Sequence, residues 1–178
     1  VWEDSLEVPQ GTIGEIAVSA TQASAAYFSR AAATALAKIA TADGGFLHRM
    51  GDVGYLDERG RIWVCGRKSH RVVTRQETLF TIPCEAIFNT HPLVYRSALV
   101  GVPRTDDVEP VLCVELEPAA AGQPKALLVD ELLALGAQYP HTRRIRRVMF
   151  HPAFPVDIRH NAKIFRQKLA VWAGRQAG

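Results

Sequence analysis

The stretch GDVGYLDERGRIWVCGRKSHR, residues 51–71, predicts a β-hairpin that ends one structural unit shortly before another begins. Its turn is expected at Asp57–Gly60, because Gly60 can take the left-handed conformation that such loops need. After Arg67 the chain changes to short apolar runs separated by helix-like segments. We therefore expect a second, small domain that begins at about residue 71.

The segments before this hairpin predict further strands of the same unit. GEIAVS, residues 14–19, is typical of a strand, and AAATALAKIA, residues 31–40, has the alanine-rich composition of a short helix. Together with the hairpin, they predict barrel-like strands at the margin of a domain and do not suffice for a complete one.

The segments after the hairpin predict a small α+β domain with helices packed on a short mixed sheet. Pro83 is expected to open a helix and Pro103 to close a strand. In chain order the expected strands and helices are strand RVVT, helix PCEAIFNTH, strand LVYRSALVGV, alternating strand VLCVELE, helix KALLVDELLALGAQ and strand IRRVMF.

The segment RHNAKIFRQKL, residues 159–169, carries one lysine, Lys163, before an amphipathic pattern. The apolar residues recur at helical spacing, which predicts a helix from Asn161 with Lys163 in its first turn. An ammonium there, beside free backbone N–H groups, can hold a phosphate or a carboxylate. The alternative is a solvated surface lysine. The apolar residues of this pattern are Ile164, Phe165, Leu169 and Trp172.

Composition predicts a soluble cytoplasmic protein. The 178 residues are 48% hydrophobic, yet no apolar run approaches the roughly 20 residues of a membrane span. The first residues, VWEDSLEVPQ, lack the layout of a signal peptide. Cys65, Cys84 and Cys113 lie far apart, so we interpret them as reduced core residues and expect no metal site or disulfide.

The net charge of +3 is too small to require a nucleic-acid partner. The basic residues cluster in HTRRIRRV, residues 141–148. If Ile145, Val148 and Phe150 mark a strand, its arginines are partly solvated edge charges, which we favour over a polyanion site. No aromatic residues alternate with them to stack on bases.

The order and spacing of several short motifs resemble the adenylate-forming superfamily of acyl-CoA synthetases, peptide-synthetase adenylation domains and luciferases. Gly51-Asp52 precedes the hairpin, Gly66-Arg67 follows it, and Lys163 stands about a hundred residues later. GTIGEI at 11–16 and THPLVYRSALVGVPRTDDVEPVLCVEL at 90–116 extend the likeness over nearly the whole chain. GRKSHRV, TIPCEAIFNTHP and RHNAKIFRQKLAVWA are similar to one branch, the β-lactone synthetases of bacterial long-chain olefin biosynthesis.

This resemblance implies a domain organisation. Residues 1–66 would be the carboxy-terminal remnant of a large adenylating domain, 67–70 a hinge, and 71–178 a small lid domain. The large domain of the family carries a phosphate loop and the acyl pocket, and no glycine-rich loop with a following lysine occurs here. The resemblance therefore implies a fragment that cannot activate a substrate alone, with ATP and Mg²⁺ bound mainly by the missing domain.

The resemblance also assigns roles to four residues. Lys163 would reach the carboxylate and phosphate oxygens when the lid closes. Asp52 would accept hydrogen bonds from the ribose hydroxyls, or alternatively cap a turn. Arg67 would contact the nucleotide or anchor the hinge, or alternatively be a surface arginine. Ser69 would be the hinge pivot, where the family usually has aspartate or lysine.

One departure from acyl-CoA synthetases concerns the second reaction step. Those enzymes commonly follow the hinge with a lysine and a glycine-containing loop, whereas Val73 stands near that lysine position and no glycine occurs between Val73 and Pro83. This disfavours a step with CoA and fits attack by the substrate's own β-hydroxyl. The expected reaction converts long-chain 2-alkyl-3-hydroxy acids to β-lactones with release of AMP and pyrophosphate.

Two alternatives stay open at this point. One is a long-chain fatty-acyl-CoA synthetase, which would use CoA, and the other is a non-enzymatic α+β binding module. The resemblance to β-lactone synthetases implies other olefin-pathway enzymes as partners. A proton-transfer role for His70 or His160 is a minor alternative to a surface role. Glu85, near the start of a helix, is interpreted as structural.

Overall fold

The computed structural model describes residues 1–19, 23–157 and 159–176, and only the backbone of 160–162. The chain divides into two compact units, Val1–Ser69 and His70–Gly178. Each unit is built around its own sheet, and each is described by itself below.

The first unit is an open, antiparallel, four-stranded sheet. Its long central strand, β3, pairs along one edge with β1. The other edge of β3 is shared by β2 near its start and β4 near its end. The elements are β1 Gly14–Val18, α1 Ala31–Ala37, β2 Lys38–Ala40, β3 Phe46–Leu56 and β4 Ile62–Arg67, with a short 3-10 turn at Asp4–Leu6.

The hairpin of β3 and β4 has the predicted turn. Gly60 has a φ of 72°, the left-handed conformation expected of it. The carboxylate of Asp57 organises the loop, because it accepts backbone N–H bonds from Arg59 and Arg61 at 2.9 Å and the indole N–H of Trp63 at 2.9 Å. The sequence thus placed both this turn and the strands on either side of it correctly.

The predicted helix at 31–40 is only partly correct. The helix ends at Ala37, and residues Lys38–Ala40 form β2 instead. Ile39 pairs with Leu47 of β3, so a long-range ladder outweighs the local helix preference of alanine and lysine.

The second unit is a mixed three-stranded sheet covered by helices, which confirms the predicted α+β class. Its strand order is β7-β8-β9, with β7 antiparallel and β9 parallel to β8. The elements are β5 Val72–Val73, β6 Thr78–Leu79, α2 Thr81–Phe88, β7 Val94–Pro103, β8 Val108–Leu116, α3 Lys125–Ala137, β9 Arg147–Phe150, β10 Val156–Asp157, β11 His160–Ile164 and α4 Arg166–Arg175.

Strand β8 lies between two apolar clusters, so it is buried on both faces and does not alternate between core and solvent as predicted. Leu112 and Val114 face a cluster that includes Phe88 of α2 and Leu132 of α3. Val111 and Cys113 face a second cluster, which α4 covers. Helices α2 and α3 therefore pack on one side of the sheet and α4 on the other.

Two element boundaries differ from the prediction. Helix α2 begins at Thr81, so Pro83 lies within its first turn and does not open it. Proline is tolerated there because the first N–H groups of a helix have no intrahelical acceptor.

Lys163 lies in strand β11, not in the first turn of a helix, and α4 begins three residues later at Arg166. The pairing of Ile164 with Val156 holds this segment extended.

The cysteines agree with their predicted structural role. Cys65, Cys84 and Cys113 are free and buried. Burial raises the pKa of the Cys84 and Cys113 thiols to about 12 and raises that of Cys65 as well. Within residues 1–19, 23–157 and 159–176, no helix is long and apolar enough to cross a membrane.

Candidate active site

Asp52 and Arg67 are adjacent on paired strands. They are directly opposite in the β3–β4 register, and Nε of Arg67 lies 3.2 Å from Oδ1 of Asp52. The guanidinium also donates to the backbone carbonyl of Met50 at 2.9 Å. The side chain of Asp52 is 26% exposed and that of Arg67 57% exposed. The pair is therefore a fixed, solvent-accessible carboxylate with a cation beside it.

Glycines shape the backbone around this pair. Gly51 has a φ of 71° and Gly66 a φ of 124°, so each precedes its charged neighbour in a conformation that side chains disfavour. A Cβ on Gly54 would lie 2.4 Å from the carbonyl oxygen of Trp63, which explains why this close approach of β3 and β4 has glycine. The Gly-Asp and Gly-Arg spacing thus places both charges at the same end of the hairpin.

Lys163 belongs to the second unit. Its side chain is exposed, and the N–H of Phe165 donates to the carbonyl of Pro155 at 2.8 Å just after it. Among the residues that the structure describes, no carboxylate lies within ion-pair distance of its ammonium. An exposed cation on a hairpin can approach an anionic ligand without first breaking a salt bridge.

A carboxylate–arginine pair lies at the turn of the same hairpin, where β10 ends. Asp157 accepts the backbone N–H of Arg159 at 2.9 Å and its Nε at 3.3 Å. These hydrogen bonds, together with the positive charge of Lys163, hold the pKa of Asp157 below its ordinary value. Asp157 therefore stays ionised and keeps Arg159 engaged, while Lys163 adds positive charge nearby.

The structure shows a buried pair that sequence reasoning missed. Glu85, interpreted as a helix-dipole residue, is in the second turn of α2, and both its oxygens face the guanidinium of Arg166, with Nη2 2.9 Å from Oε2. Glu85 also accepts the N–H of Leu99 at 2.7 Å. Burial raises the pKa of Glu85, and Arg166 partly offsets this. The only signal in the sequence is a glutamate among apolar residues on the buried side of a helix.

Ser69 is the last residue of the first unit and lies in a 3-10 turn at Lys68–His70. The neighbouring Lys68 donates to Glu15 of β1 at 2.7 Å, and Arg49 donates to the same oxygen at 2.6 Å. Burial alone would raise the pKa of Glu15, but these two cations hold it below its ordinary value. The chain is thus attached to the first sheet up to Lys68.

Two of the four arginines in residues 141–148 lie beside acidic side chains. Arg144 lies 3.4 Å from Glu77, and Arg147 lies 3.6 Å from Glu109. Ile145 is buried between them, whereas strand β9 begins at Arg147, later than predicted. This pairing supports the interpretation of edge charges over a polyanion site.

Two further expectations concern histidines and metals. His70 follows Ser69 in the 3-10 turn, and it interacts with a polar, charged or aromatic neighbour. The side chain of His160 lies outside the described residues. Over the described part of the chain, no group of three or more His, Cys, Asp or Glu side chains could hold a metal ion.

Of the four predicted site residues, the structure brings together Asp52 and Arg67. Ser69 follows two residues after Arg67, and Lys163 is in the other unit. The fold that carries these residues is that of adenylate-forming ligases, over the carboxy-terminal third of those proteins. One solved structure with this fold is the anthranilate CoA ligase AuaEII in complex with anthranoyl-AMP, with a TM-score of 0.80, 22% identity, and 96% of this chain and 32% of that chain covered.

A second is the ATP-bound RpMatB-BxBclM chimera B1, with a TM-score of 0.78, 24% identity, and coverage of 94% and 32%. By sequence the chain is related to olefin beta-lactone synthetase. The protein of that name from Xanthomonas campestris pv. campestris is 50% identical over 179 aligned residues, or 98% of this chain. This confirms the resemblance to the adenylate-forming superfamily and to its β-lactone synthetase branch.

The chain spans about a third, 32%, of the length of that relative. A 2-succinylbenzoate–CoA ligase from Bacillus cereus is 36% identical over 107 residues, which cover 60% of this chain and 21% of the ligase. No protein-family model matches the chain.

Proposed function

We propose that this chain is the carboxy-terminal portion of an ATP-dependent enzyme that makes β-lactones from long-chain 2-alkyl-3-hydroxy acids. The observation that carries the proposal is identity of 50% to an olefin beta-lactone synthetase over 98% of the chain. The exposed Lys163 and the accessible Asp52–Arg67 pair support the proposal, because a cation and a carboxylate of this kind suit an anionic nucleotide with ribose hydroxyls. Other olefin-pathway enzymes are proposed partners.

In the first half-reaction, an oxygen of the substrate carboxylate attacks the α-phosphorus of ATP, and pyrophosphate leaves. Both reactants are anionic, so a positioned cation lowers the barrier. Lys163 would supply that cation from its hairpin. Asp52 would accept hydrogen bonds from the ribose hydroxyls, since an ionised carboxylate has about four lone-pair sites and Arg67 does not use all of them.

In the second half-reaction, the β-hydroxyl oxygen of the acyl adenylate attacks its own carbonyl carbon. The bond from that carbon to the phosphate oxygen breaks, AMP leaves, and the hydroxyl proton passes to the surroundings. The nucleophile is already in the molecule, so the enzyme has only to orient it and exclude water.

We further propose that residues 1–66 complete a larger domain, that 67–70 is the hinge and that 71–178 is the lid. The side chains of Ile62, Trp63 and Val64 support the first point. These consecutive residues of β4 are 57%, 49% and 46% exposed, so neither face of the strand is covered within this unit. Successive side chains of a strand point to opposite faces, and apolar exposure on both is unusual at a protein surface.

The three free cysteines fit a reducing compartment, and on that basis we propose the cytoplasm. ATP is the proposed nucleotide, because solved structures with this fold include an ATP-bound ligase chimera. Mg²⁺ would then be held mainly by the larger domain.

A fatty-acyl-CoA synthetase is the second candidate, favoured by the match to the 2-succinylbenzoate–CoA ligase. The experiment that separates the two uses the full-length enzyme with ATP, magnesium and a 2-alkyl-3-hydroxy acid, with and without CoA. β-Lactone and AMP without CoA support the first proposal. A thioester formed only with CoA would replace it with the second.

The same assay tests Lys163. Lys163→Ala should lower the rate of AMP formation by roughly 100-fold or more, the typical effect of losing one charge-stabilising contact. Lys168→Ala is the matched control, because Lys168 is an exposed lysine of the adjacent helix α4. Equal rates for the two variants would exclude Lys163 as the activating cation. The isolated 178-residue chain should consume no ATP. If the full-length enzyme forms no AMP, both the β-lactone synthetase proposal and the acyl-CoA synthetase alternative are wrong.

A further inference from the structure

The Glu85–Arg166 ion pair joins three elements at the start of α4. Arg166 is the first residue of that helix, Glu85 comes from α2, and both contact the backbone of Leu99 in β7. Glu85 accepts the Leu99 N–H at 2.7 Å, and Arg166 donates to the Leu99 carbonyl at 3.2 Å. The two side chains are only 11% and 15% exposed. Both charges are therefore fixed against the same strand residue.

This pair lies close in sequence to Lys163. Lys163 stands three positions before Arg166, and the two residues between them are also held in place. Ile164 pairs with Val156 across the hairpin, and the N–H of Phe165 donates to Pro155. The carboxy-terminal end of β11 is thus attached to the core of the unit, although the side chain of Lys163 on this strand is exposed.

We propose that Glu85 and Arg166 are positioning residues for Lys163. This inference rests on the proposed role of Lys163 in adenylation. Neither residue is assigned a contact with substrate; together they hold the end of β11, so that the ammonium meets the reacting oxygens in one geometry. Buried ion pairs often stabilise a fold no better than apolar side chains of similar size. Stability alone therefore does not explain this pair, whereas a role in positioning Lys163 does.

The consequence is a specific kinetic effect. Loosening the end of β11 leaves ATP binding by the rest of the enzyme intact but misplaces the cation during the chemical step. Misplacement of a catalytic group by about 1 Å costs up to roughly 100-fold in rate. Loss of the pair should therefore lower kcat and leave KM for ATP nearly unchanged.

The test variant is Glu85→Gln/Arg166→Met in the full-length enzyme. The amide still accepts the Leu99 N–H, and no charge is left buried, so the unit should fold. We expect kcat for AMP formation to fall about 10-fold, KM for ATP to change less than about twofold, and amide exchange at Ile164 and Phe165 to accelerate about 10-fold. A second variant, Glu85→Gln alone, leaves the guanidinium of Arg166 without its carboxylate and should show the same changes to at least the same degree.

The matched control is Leu132→Ala, which removes a fully buried side chain from α3 on the other side of the sheet. It lowers the melting temperature without touching β11 or α4 and should leave kcat and the exchange at Phe165 near wild type. If the double variant behaves like this control at an equal melting temperature, the positioning role is overturned. Full rate in Lys163→Ala would instead overturn the role of Lys163 itself, and with it the premise of positioning.

Discussion

Asp52 and Arg67 face each other across β3 and β4, with Nε of Arg67 3.2 Å from Oδ1 of Asp52. Arg67 is held in place by a second bond, from Nη1 to the carbonyl of Met50. The carboxylate is therefore oriented by a neighbour that is itself fixed. Such a pair is suited to receive hydroxyl donors from a ligand.

Asp52→Ala should raise KM for ATP by about 10- to 100-fold, because hydrogen bonds to a charged group contribute about 1.5–3 kcal/mol. The effect on kcat should be smaller. Initial rates of pyrophosphate release against ATP concentration provide the measurement. Asp106→Ala serves as control, since Asp106 is a carboxylate with 76% of its side chain exposed. A KM equal to that of the control would contradict nucleotide binding by Asp52.

The first hairpin was predictable because its determinants are local. Asp57, Gly60 and the flanking residues lie within a few positions of one another, and the carboxylate of Asp57 satisfies loop N–H groups two and four residues away. Short-range hydrogen bonds and a single left-handed glycine fix such a turn whatever packs against it. The same holds for strand β7, which ends at Pro103 as predicted.

The segment around Lys163 was not predictable in the same way. Ile164 and Phe165 fit the helical period, yet Ile164 pairs with Val156 and the N–H of Phe165 reaches Pro155. Periodicity reports which residues share a face of a helix and does not report a partner strand. The helix therefore begins at Arg166, and Lys163 lies on a strand.

The Glu85–Arg166 pair was missed for a related reason. Its members are 81 residues apart, and nothing in the local sequence of either one indicates the other. Only the packing of α2 and α4 against β7 makes their burial and pairing visible. The spacing of Asp52, Arg67 and Lys163, by contrast, was available from family resemblance before any geometry.

The three cysteines should be unreactive in the folded chain. Cys84 and Cys113 are 1% and 0% exposed, and burial raises the pKa of both thiols to about 12, so almost no thiolate forms at pH 8. Ellman's reagent should label no thiol rapidly under native conditions. After addition of denaturant it should label all three. Rapid labelling of one native thiol would show that the corresponding core cluster opens to solvent.

The hairpin should show a pH dependence from Asp57. The indole N–H of Trp63 and the bonds from Arg61 and Arg59 lower the pKa of Asp57 to about 2, from an ordinary value of 3.8. A lowered folded-state pKa means that this stabilisation is complete above about pH 4 and is lost as the pH falls through about 2.

The indole N–H resonance of Trp63, followed by NMR from pH 6 downward and assigned with Trp63→Phe, measures this titration. Its midpoint should lie near pH 2, and Asp57→Asn should abolish the transition. A midpoint near the ordinary value of 3.8 would mean that the carboxylate does not hold the loop in solution.

Ser69 is the position where a change of backbone freedom should affect turnover most. Lys68 is bonded to Glu15 within the first unit, and the second unit begins at His70, so Ser69 is the residue between the two attachments. Ser69→Pro fixes φ at this residue and disfavours the helical conformation of Lys68 before it. If the lid turns here during catalysis, kcat for β-lactone formation should fall about 10-fold or more. Ser69→Ala removes the hydroxyl but leaves the backbone free, and should therefore retain the wild-type rate. A loss of rate in both variants would assign the effect to the hydroxyl, and no loss in either would move the pivot to another residue of 67–70.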